Sequence, residues 1–132
     1  MYLCTLNCAK RDTMDEELIQ RIWEKGTIVP NYDPNLFRQD AAGAWIARAE
    51  WGNVHSPLGW EVDHIYPQSK GGTDELFNLR PMQWENNRSK GDDYPRYVAK
   101  IVSKENRNVE EYTPCMVAQA IQELIASHYG NH

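Results

Sequence analysis

One stretch in the middle of the chain restricts the fold more than any other part. Residues 60–66 (WEVDHIY) alternate apolar and polar side chains, which is typical of a strand with one buried face. Residues 67–75 (PQSKGGTDE) are polar and turn-rich, and residues 76–82 (LFNLRPM) form a second short apolar segment. Residues 84–90 (WENNRSK) are compatible with a short helix that ends before Gly91. This order predicts two short strands, a polar loop between them and a helix, and therefore an α+β fold.

The N-terminal part of the chain predicts one helix. Thr13 and Glu16 have the spacing of a capping box, in which the two side chains bond to backbone N–H groups of the first turn. Four apolar residues then recur at helical spacing: Leu18, Ile19, Ile22 and Trp23. Residues 29–35 contain two prolines and predict a loop, and residues 42–52 fit a short helix or a strand equally well. We expect residues 1–41 to form a helical extension.

The C-terminal part predicts a strand, a turn and a second helix. Residues 97–103 (YVAKIVS) are typical of a strand, and the polar residues 104–108 fit the turn of a hairpin. The Thr-Pro pair at residues 113–114 is typical of a helix start. The apolar positions of an amphipathic helix follow: Met116, Val117, Ala120, Ile121, Leu124 and Ile125. We expect a helical extension over residues 113–130 and a single domain over residues 1–132.

Composition and charge limit the class of protein. The chain has 132 residues, 41% of them hydrophobic, which is ordinary for one globular domain and excludes disordered and collagen-like classes. No apolar run approaches the roughly 20 residues of a membrane helix, and the first residues lack a secretory pattern, so we expect a cytoplasmic protein without a membrane partner. The net charge of −5 does not favour nucleic-acid binding by the whole chain. Six basic residues nevertheless concentrate in one stretch: Arg88, Lys90, Arg96, Lys100, Lys104 and Arg107.

Residues 60–92 also contain three short motifs in order, DHIYPQSKGG, then NL, then ENNRSKGD. This set resembles the HNH motif of the ββα-metal endonucleases. His64 falls at the first HNH position, Asn78 at the middle one and Asn87 at the third, so the chain is an HNN variant. Asp63 matches the acidic metal ligand of many members, and the order is similar to that in the HNH domain of RNA-guided CRISPR nucleases. The resemblance implies a ββα-metal core (two short antiparallel strands, an Ω-like loop and a helix) with additional N- and C-terminal helices.

The resemblance also implies an activity, the hydrolysis of DNA phosphodiester bonds by a divalent-metal-dependent endonuclease with one metal ion. Hydrolysis needs a base that takes a proton from water, and His64 is the candidate because imidazole is suited to that task near neutral pH. Asp63 and Asn87 offer hard oxygen ligands, which suit Mg²⁺ or Mn²⁺ better than Zn²⁺. In the family, the residue at the position of Asn78 hydrogen-bonds to the backbone near the catalytic histidine and thereby orients it.

Partners follow from the same comparison. Three basic residues are the candidates for contact with phosphate: Arg80, Arg88 and Lys90. We expect double-stranded DNA as the substrate and, because the chain is acidic, a protein partner or an oligomer for targeting. Many family members bind a structural zinc through C-x-x-C pairs, whereas Gln83 and Asn86 stand at the positions of the second pair. We therefore expect no structural zinc.

One geometric condition applies to the predicted site. Adjacent residues on a regular strand point to opposite faces of the sheet. Asp63 and His64 can therefore serve one site only where the strand ends or bulges, and Pro67 is compatible with a strand end.

Two other functions are compatible with the sequence. A nucleic-acid-binding module without turnover would account for the acidic total and for a ligand set that is weak in charge. A toxin-like nuclease controlled by a cognate inhibitor would use the same site residues, and its activity would be restrained by a second protein.

Overall fold

The computed structural model describes residues 15–130, which form an α+β fold. The described part of the chain contains three α-helices and three antiparallel strand pairs. In chain order these are α1 (Glu16–Trp23), β1 (Phe37–Gln39), β2 (Trp45–Ala47), β3 (Trp60–His64), β4 (Leu79–Gln83), α2 (Trp84–Lys90), β5 (Arg96–Lys104), β6 (Arg107–Met116) and α3 (Gln119–Tyr129). Each pair has two strands, with β1 on β2, β3 on β4 and β5 on β6. None of the helices within residues 15–130 has the length and apolarity needed to cross a bilayer.

Helix α1 confirms the predicted N-terminal helix and packs on one face. The side chain of Asp15 accepts a hydrogen bond from Glu17 N at 2.9 Å and so caps the first turn. The predicted capping residue Thr13 lies outside the described residues. The buried face of α1 joins a cluster that also contains residues of β2, β3 and β4. Its members are Ile19, Ile22, Trp23, Ile46, Trp60 and Leu79.

The segment between α1 and β3 is mostly irregular, unlike the predicted helical extension over residues 1–41. After α1 the chain forms a loop and then the short strand β1, which pairs with β2. The ambiguous residues 42–52 become strand β2 followed by a single 3₁₀ turn, Arg48–Glu50. Pairing with β1 favours a strand over the alternative of a short helix. The local sequence could not decide between them, because a strand of three residues has only a weak local pattern.

The strands and the helix predicted in the middle of the chain are confirmed. Strands β3 and β4 pair antiparallel, with Asp63 opposite Arg80 and His64 opposite Leu79. Helix α2 begins directly where β4 ends, and the side-chain oxygen of Gln83 caps it by accepting from the backbone N–H groups of its first turn at 2.8 and 3.0 Å. The three elements therefore form a strand–loop–strand–helix unit over residues 60–90.

The predicted hairpin after α2 is confirmed, but the predicted helix start at residues 113–114 is wrong. Strand β6 continues to Met116, with Thr113 opposite Ala99 and Pro114 opposite Val98 on β5. The local Thr-Pro signal is overridden because residues 113–116 pair with β5, and helix α3 starts only at Gln119.

A buried asparagine fastens α2 to the hairpin. The Oδ1 atom of Asn86 accepts hydrogen bonds from Lys100 N at 2.8 Å and Ile101 N at 2.7 Å, and its Nδ2 donates to the Ile101 carbonyl at 2.8 Å. These bonds lie at the shift in strand register between Ala99 and Ile101, where the side chain takes the place of a strand partner. Helix α2 is thereby fixed on the hairpin as well as on β3 and β4.

Candidate active site

His64 ends strand β3 and its side chain reaches the loop that follows. Its Nε2 lies 2.7 Å from Oδ1 of Asp74, with 25% of the His64 side chain and 81% of the Asp74 side chain exposed. An ionised carboxylate has no proton to donate, so the neutral imidazole must carry its proton on Nε2. The lone pair is then on Nδ1, the nitrogen that can accept a proton.

Asn78 is fully buried and holds the two ends of the loop together. Its Oδ1 accepts from Tyr66 N at 2.7 Å, and its Nδ2 donates to the carbonyls of Tyr66 at 3.1 Å and Thr73 at 3.0 Å. In addition, Ile65 N donates to the Asn78 carbonyl at 2.8 Å. These bonds fix the backbone immediately after His64; that they orient the imidazole for catalysis stays a prediction.

The two adjacent glycines of the loop, Gly71 and Gly72, have different roles. Gly71 has a φ of 108°, in the left-handed region that favours glycine. A Cβ atom at Gly72 would overlap the carbonyl oxygen of Tyr66 and approach Nδ2 of Asn78 to 2.9 Å. The loop can therefore return to β4 along this path only with glycine at residue 72.

Asp63 lies on the opposite side of β3 from the His64–Asp74 contact and is buried between two cations. Its Oδ2 accepts from Arg80 Nε at 2.8 Å, and its Oδ1 lies 3.2 Å from Lys90 Nζ. The Lys90 ammonium also donates to the His64 carbonyl at 3.2 Å. The regular alternation of the strand thus persists through these two residues, and they face different neighbours.

The buried cations respond to this environment in opposite ways. Burial lowers the pKa of Lys90, and the nearby Asp63 offsets only part of that effect. Burial also acts to lower the pKa of Arg80, but the charge of Asp63, together with Tyr97, the Asp63 hydrogen bond and Asp40, more than compensates and the net direction is upward. Asp63 is therefore the group that allows both positive charges to be buried.

In the structure both residues predicted as metal ligands are engaged by other side chains. Both carboxylate oxygens of Asp63 already contact cations, and only 2% of the residue is exposed. Asn87 donates from Nδ2 to Glu61 Oε1 at 3.1 Å. Over residues 15–130 there is no group of three or more His, Cys, Asp or Glu side chains that could hold a metal ion. A metal at Asp63 and Asn87 stays a prediction.

The three residues predicted to contact phosphate differ in exposure. Arg80 and Lys90 are buried on Asp63, so as placed they do not present a charged surface. Arg88 is exposed, lies 3.1 Å from Glu61 Oε2, and its guanidinium sits 5.3 Å from the Trp84 ring centre. Arg88 is thus the one of the three placed where it can meet a ligand in solution.

Comparison with known proteins addresses the part of the chain that carries these residues. Residues 53–96 match the family model of HNH endonuclease. The match confirms the resemblance drawn from the sequence and spans β3, β4 and α2 with His64 and Asn78. No curated protein and no solved structure matches the chain. Over residues 53–96 the chain is thus similar to HNH endonucleases, a nuclease family that usually uses a divalent metal ion. Its assignment as an Asp-His, HNN variant stays a prediction.

We call residues 53–96, which match the family model, the HNH segment. Two acidic residues of this segment were not among the predicted site residues. Glu61 lies two residues before Asp63 on the same face of β3 and contacts both Asn87 and Arg88 of α2. The strand alternation could have placed it near α2, since residues i and i+2 share a face. Asp74 gave no such signal, because its contact with His64 depends on the path of the intervening loop.

Proposed function

We propose that this chain is an endonuclease that hydrolyses phosphodiester bonds of DNA, with His64 as the general base. The observation that carries the proposal is the contact between His64 Nε2 and Asp74 at 2.7 Å within the segment that matches HNH endonucleases. This contact leaves the Nδ1 lone pair of the neutral ring available, and a quarter of the side chain is exposed to solvent. An accessible imidazole with one defined acceptor nitrogen is what activation of water requires.

The proposed reaction is a simple hydrolysis. A water oxygen attacks phosphorus while one of its protons passes to Nδ1 of His64. The bond between phosphorus and the 3′ oxygen breaks, and the leaving oxygen takes a proton from water. His64 then returns its proton to solvent. The resemblance to HNH nucleases implies products with 5′-phosphate and 3′-hydroxyl ends.

The proposal includes a need for a divalent metal ion, Mg²⁺ or Mn²⁺, with Asp63 and Asn87 as its protein ligands. When bound, such an ion supplies positive charge that stabilises the phosphate and the leaving oxygen. In the arrangement of the structure Asp63 would first have to release Arg80, Lys90 or both.

Double-stranded DNA is the proposed substrate, with Arg88 as the residue best placed to meet phosphate. It is exposed at the end of α2, on the same helix as Asn87. The net charge of −5 predicts weak non-specific binding, since binding of this kind depends on phosphate contacts by Lys and Arg. Targeting by a protein partner or by an oligomer is part of the proposal for this reason.

Plasmid cleavage by the full chain tests the proposal. Wild type, His64→Ala and the control His55→Ala, an exposed loop histidine, are compared in Mg²⁺, Mn²⁺, Zn²⁺ and EDTA. His64→Ala should lower the cleavage rate by roughly 10²–10⁴-fold, the usual contribution of a general base, while DNA binding measured by fluorescence anisotropy is retained. His55→Ala should cleave like wild type. Equal rates for His64→Ala and wild type would contradict the role of His64.

A second function, nucleic-acid binding without turnover, is favoured by one observation. The carboxylate of Asp63 is saturated by two buried cations, as expected of a structural residue. This function predicts salt-sensitive DNA binding by wild type, no cleavage in any metal, and no effect of EDTA.

A further inference from the structure

We propose that Asp74 is a positioning residue for His64, and that helix α3, outside the HNH segment, holds Asp74 in place through Tyr129. The inference rests on the proposed function, because it assigns a task to the imidazole of His64. It adds two residues that neither the sequence motif nor the family match assigns a role.

Asp74 and His64 are in direct contact. Asp74 is the carboxylate that meets the ring of His64, at 2.7 Å from Nε2. A carboxylate at this position accepts a hydrogen bond from Nε2–H and keeps the neutral ring in the tautomer with an unprotonated Nδ1. It also fixes the rotation of the ring about its bond to Cβ. Both effects favour proton transfer to Nδ1.

Both sequence neighbours of Asp74 lie against α3. Thr73 N donates to the Tyr129 hydroxyl at 3.1 Å, and the hydroxyls of Thr73 and Tyr129 lie 2.6 Å apart. On the other side, His128 Nε2 lies 3.6 Å from Glu75 Oε2. Asp74 therefore lies between Thr73, which is hydrogen-bonded to Tyr129 of α3, and Glu75, whose carboxylate lies near His128 of the same helix. A side chain so exposed would otherwise have little to keep it near His64.

Tyr129 is itself fixed by aromatic packing. Its ring stacks on Tyr66 with centres 5.3 Å apart and planes at 21°, and it also packs on Phe77 at 5.5 Å. Tyr66 precedes the loop and Phe77 follows it, so one ring bridges both ends of the segment that carries Asp74. The hydroxyl then reaches Thr73 from a fixed position.

Helix α3 lies outside the part of the chain that matches the HNH family. The family match ends at residue 96, whereas α3 spans Gln119–Tyr129. The hairpin β5–β6 connects the two, and Val117, just before α3, donates to the Pro95 carbonyl at 2.9 Å. The C-terminal part of this chain thus completes the surroundings of His64 and does more than extend the fold.

Two substitutions at Asp74 test the first part of the proposal. Asp74→Asn keeps the size but offers an amide that can donate to Nε2 and so favours a proton on Nδ1. Asp74→Glu keeps a carboxylate that can still reach the ring from the exposed loop. Asp93→Asn, an exposed aspartate after α2, makes the same change in charge away from His64 and serves as the control.

Kinetics and NMR are measured on the full chain for each variant. Asp74→Asn should lower kcat by about tenfold with KM for DNA unchanged, and Asp74→Glu should restore most of the loss, whereas Asp93→Asn should match wild type. The ¹⁵N shifts of the His64 ring at about pH 8, assigned by their absence in His64→Ala, should show Nε2 protonated in wild type and a larger Nδ1-protonated fraction in Asp74→Asn.

Tyr129→Phe tests the second part, with Tyr94→Phe as the control. Phenylalanine retains the stacking on Tyr66 and Phe77 and removes only the hydroxyl that reaches Thr73. Tyr94 also packs on Tyr66, at 5.1 Å, so its substitution reports any general effect of losing a hydroxyl in this cluster. Tyr129→Phe should lower kcat several-fold and shift the His64 tautomer in the direction seen for Asp74→Asn, and Tyr94→Phe should do neither.

The measurements distinguish failure of the proposed nuclease activity from failure of the roles proposed for Asp74 and α3. Normal kcat and an unchanged tautomer in Asp74→Asn, with His64→Ala inactive, would overturn the role of Asp74 and leave the proposed nuclease intact. If wild type does not cleave DNA, the proposed function fails, and the tautomer measurement alone decides whether Asp74 positions the ring. Wild-type behaviour of Tyr129→Phe in both measurements would overturn the role of α3.

Discussion

Asp63 and Arg80 face each other across the β3–β4 pair and form a buried ion pair, with Arg80 Nε donating to Asp63 Oδ2 at 2.8 Å. Lys90 of α2 approaches the other carboxylate oxygen at 3.2 Å. One carboxylate therefore joins both strands and the helix of the HNH segment. This relationship gives Asp63 a structural role, because its carboxylate connects the two strands to the helix.

Removing the Asp63 carboxylate should destabilise the protein strongly. Asp63→Ala leaves two buried cations without a counter-ion, which typically costs about 3–5 kcal/mol. Lys90→Met should cost much less, since Asp63 keeps Arg80 and the buried ammonium is replaced by an apolar chain. Urea unfolding followed by tryptophan fluorescence measures both. A loss below about 0.5 kcal/mol for Asp63→Ala would show that the ion pairs do not hold the three elements together.

Asp40 should give the protein a pH dependence of its own. Its carboxylate is buried and accepts four hydrogen bonds, from the N–H groups of Ala42, Ala44 and Gln83 and from Asn86 Nδ2. Burial nevertheless raises the pKa of Asp40 above its ordinary value of 3.8. Between 3.8 and the raised pKa the native state binds more protons than the unfolded state, so this group adds stability as the pH falls through that window.

Asp40→Asn tests this dependence. The amide would turn a donor toward the N–H groups of Gln83 and Asn86, and the expected loss at neutral pH is about 2 kcal/mol. Because the variant lacks the titrating group, its deficit relative to wild type should widen as the pH is lowered from 7 toward 4. Unfolding by urea at several pH values measures the difference. A deficit that narrows in this range would contradict the raised pKa.

Metal removal should abolish cleavage, and metal should bind weakly. A neutral carboxamide is a poor ligand, and at Asp63 an incoming ion must compete with Arg80 and Lys90. We therefore expect EDTA to stop plasmid cleavage and Mg²⁺ to restore it with half-saturation at roughly millimolar concentration. Titration of the cleavage rate with Mg²⁺ measures this. Saturation at micromolar Mg²⁺ would argue for a different ligand set.

Arg88→Gln should weaken DNA binding at all sequences. Arg88 is exposed on α2 and contributes one potential phosphate contact, so its loss should reduce the slope of log K against log salt by about 0.9. Arg21→Gln, an exposed arginine paired with Glu17 on α1, is the matched control. Anisotropy titrations at several salt concentrations give both slopes. Equal slopes for Arg88→Gln and wild type would remove Arg88 from the DNA-binding surface.

Local pattern was sufficient for the elements that carry the site. The alternation in residues 60–66 and the seven residues from Trp84 to Lys90 predicted β3 and α2 because the relevant periodicity lies within each segment. The same local reasoning failed at residues 113–116. There a helix-start signal lost to pairing with β5, a partner that no short window of sequence contains.

The sequence by itself determined which chemistry is available, since the motif residues and the match over residues 53–96 need only the order of side chains along the chain. Only the tertiary structure decided which of those side chains meet. Strand register set Asp63 opposite Arg80, and the path of the loop brought Asp74 to His64. Packing of α3 then placed Tyr129 on Thr73. Contacts between residues far apart in sequence depend on how the elements pack around shared cores, and no local preference encodes that packing.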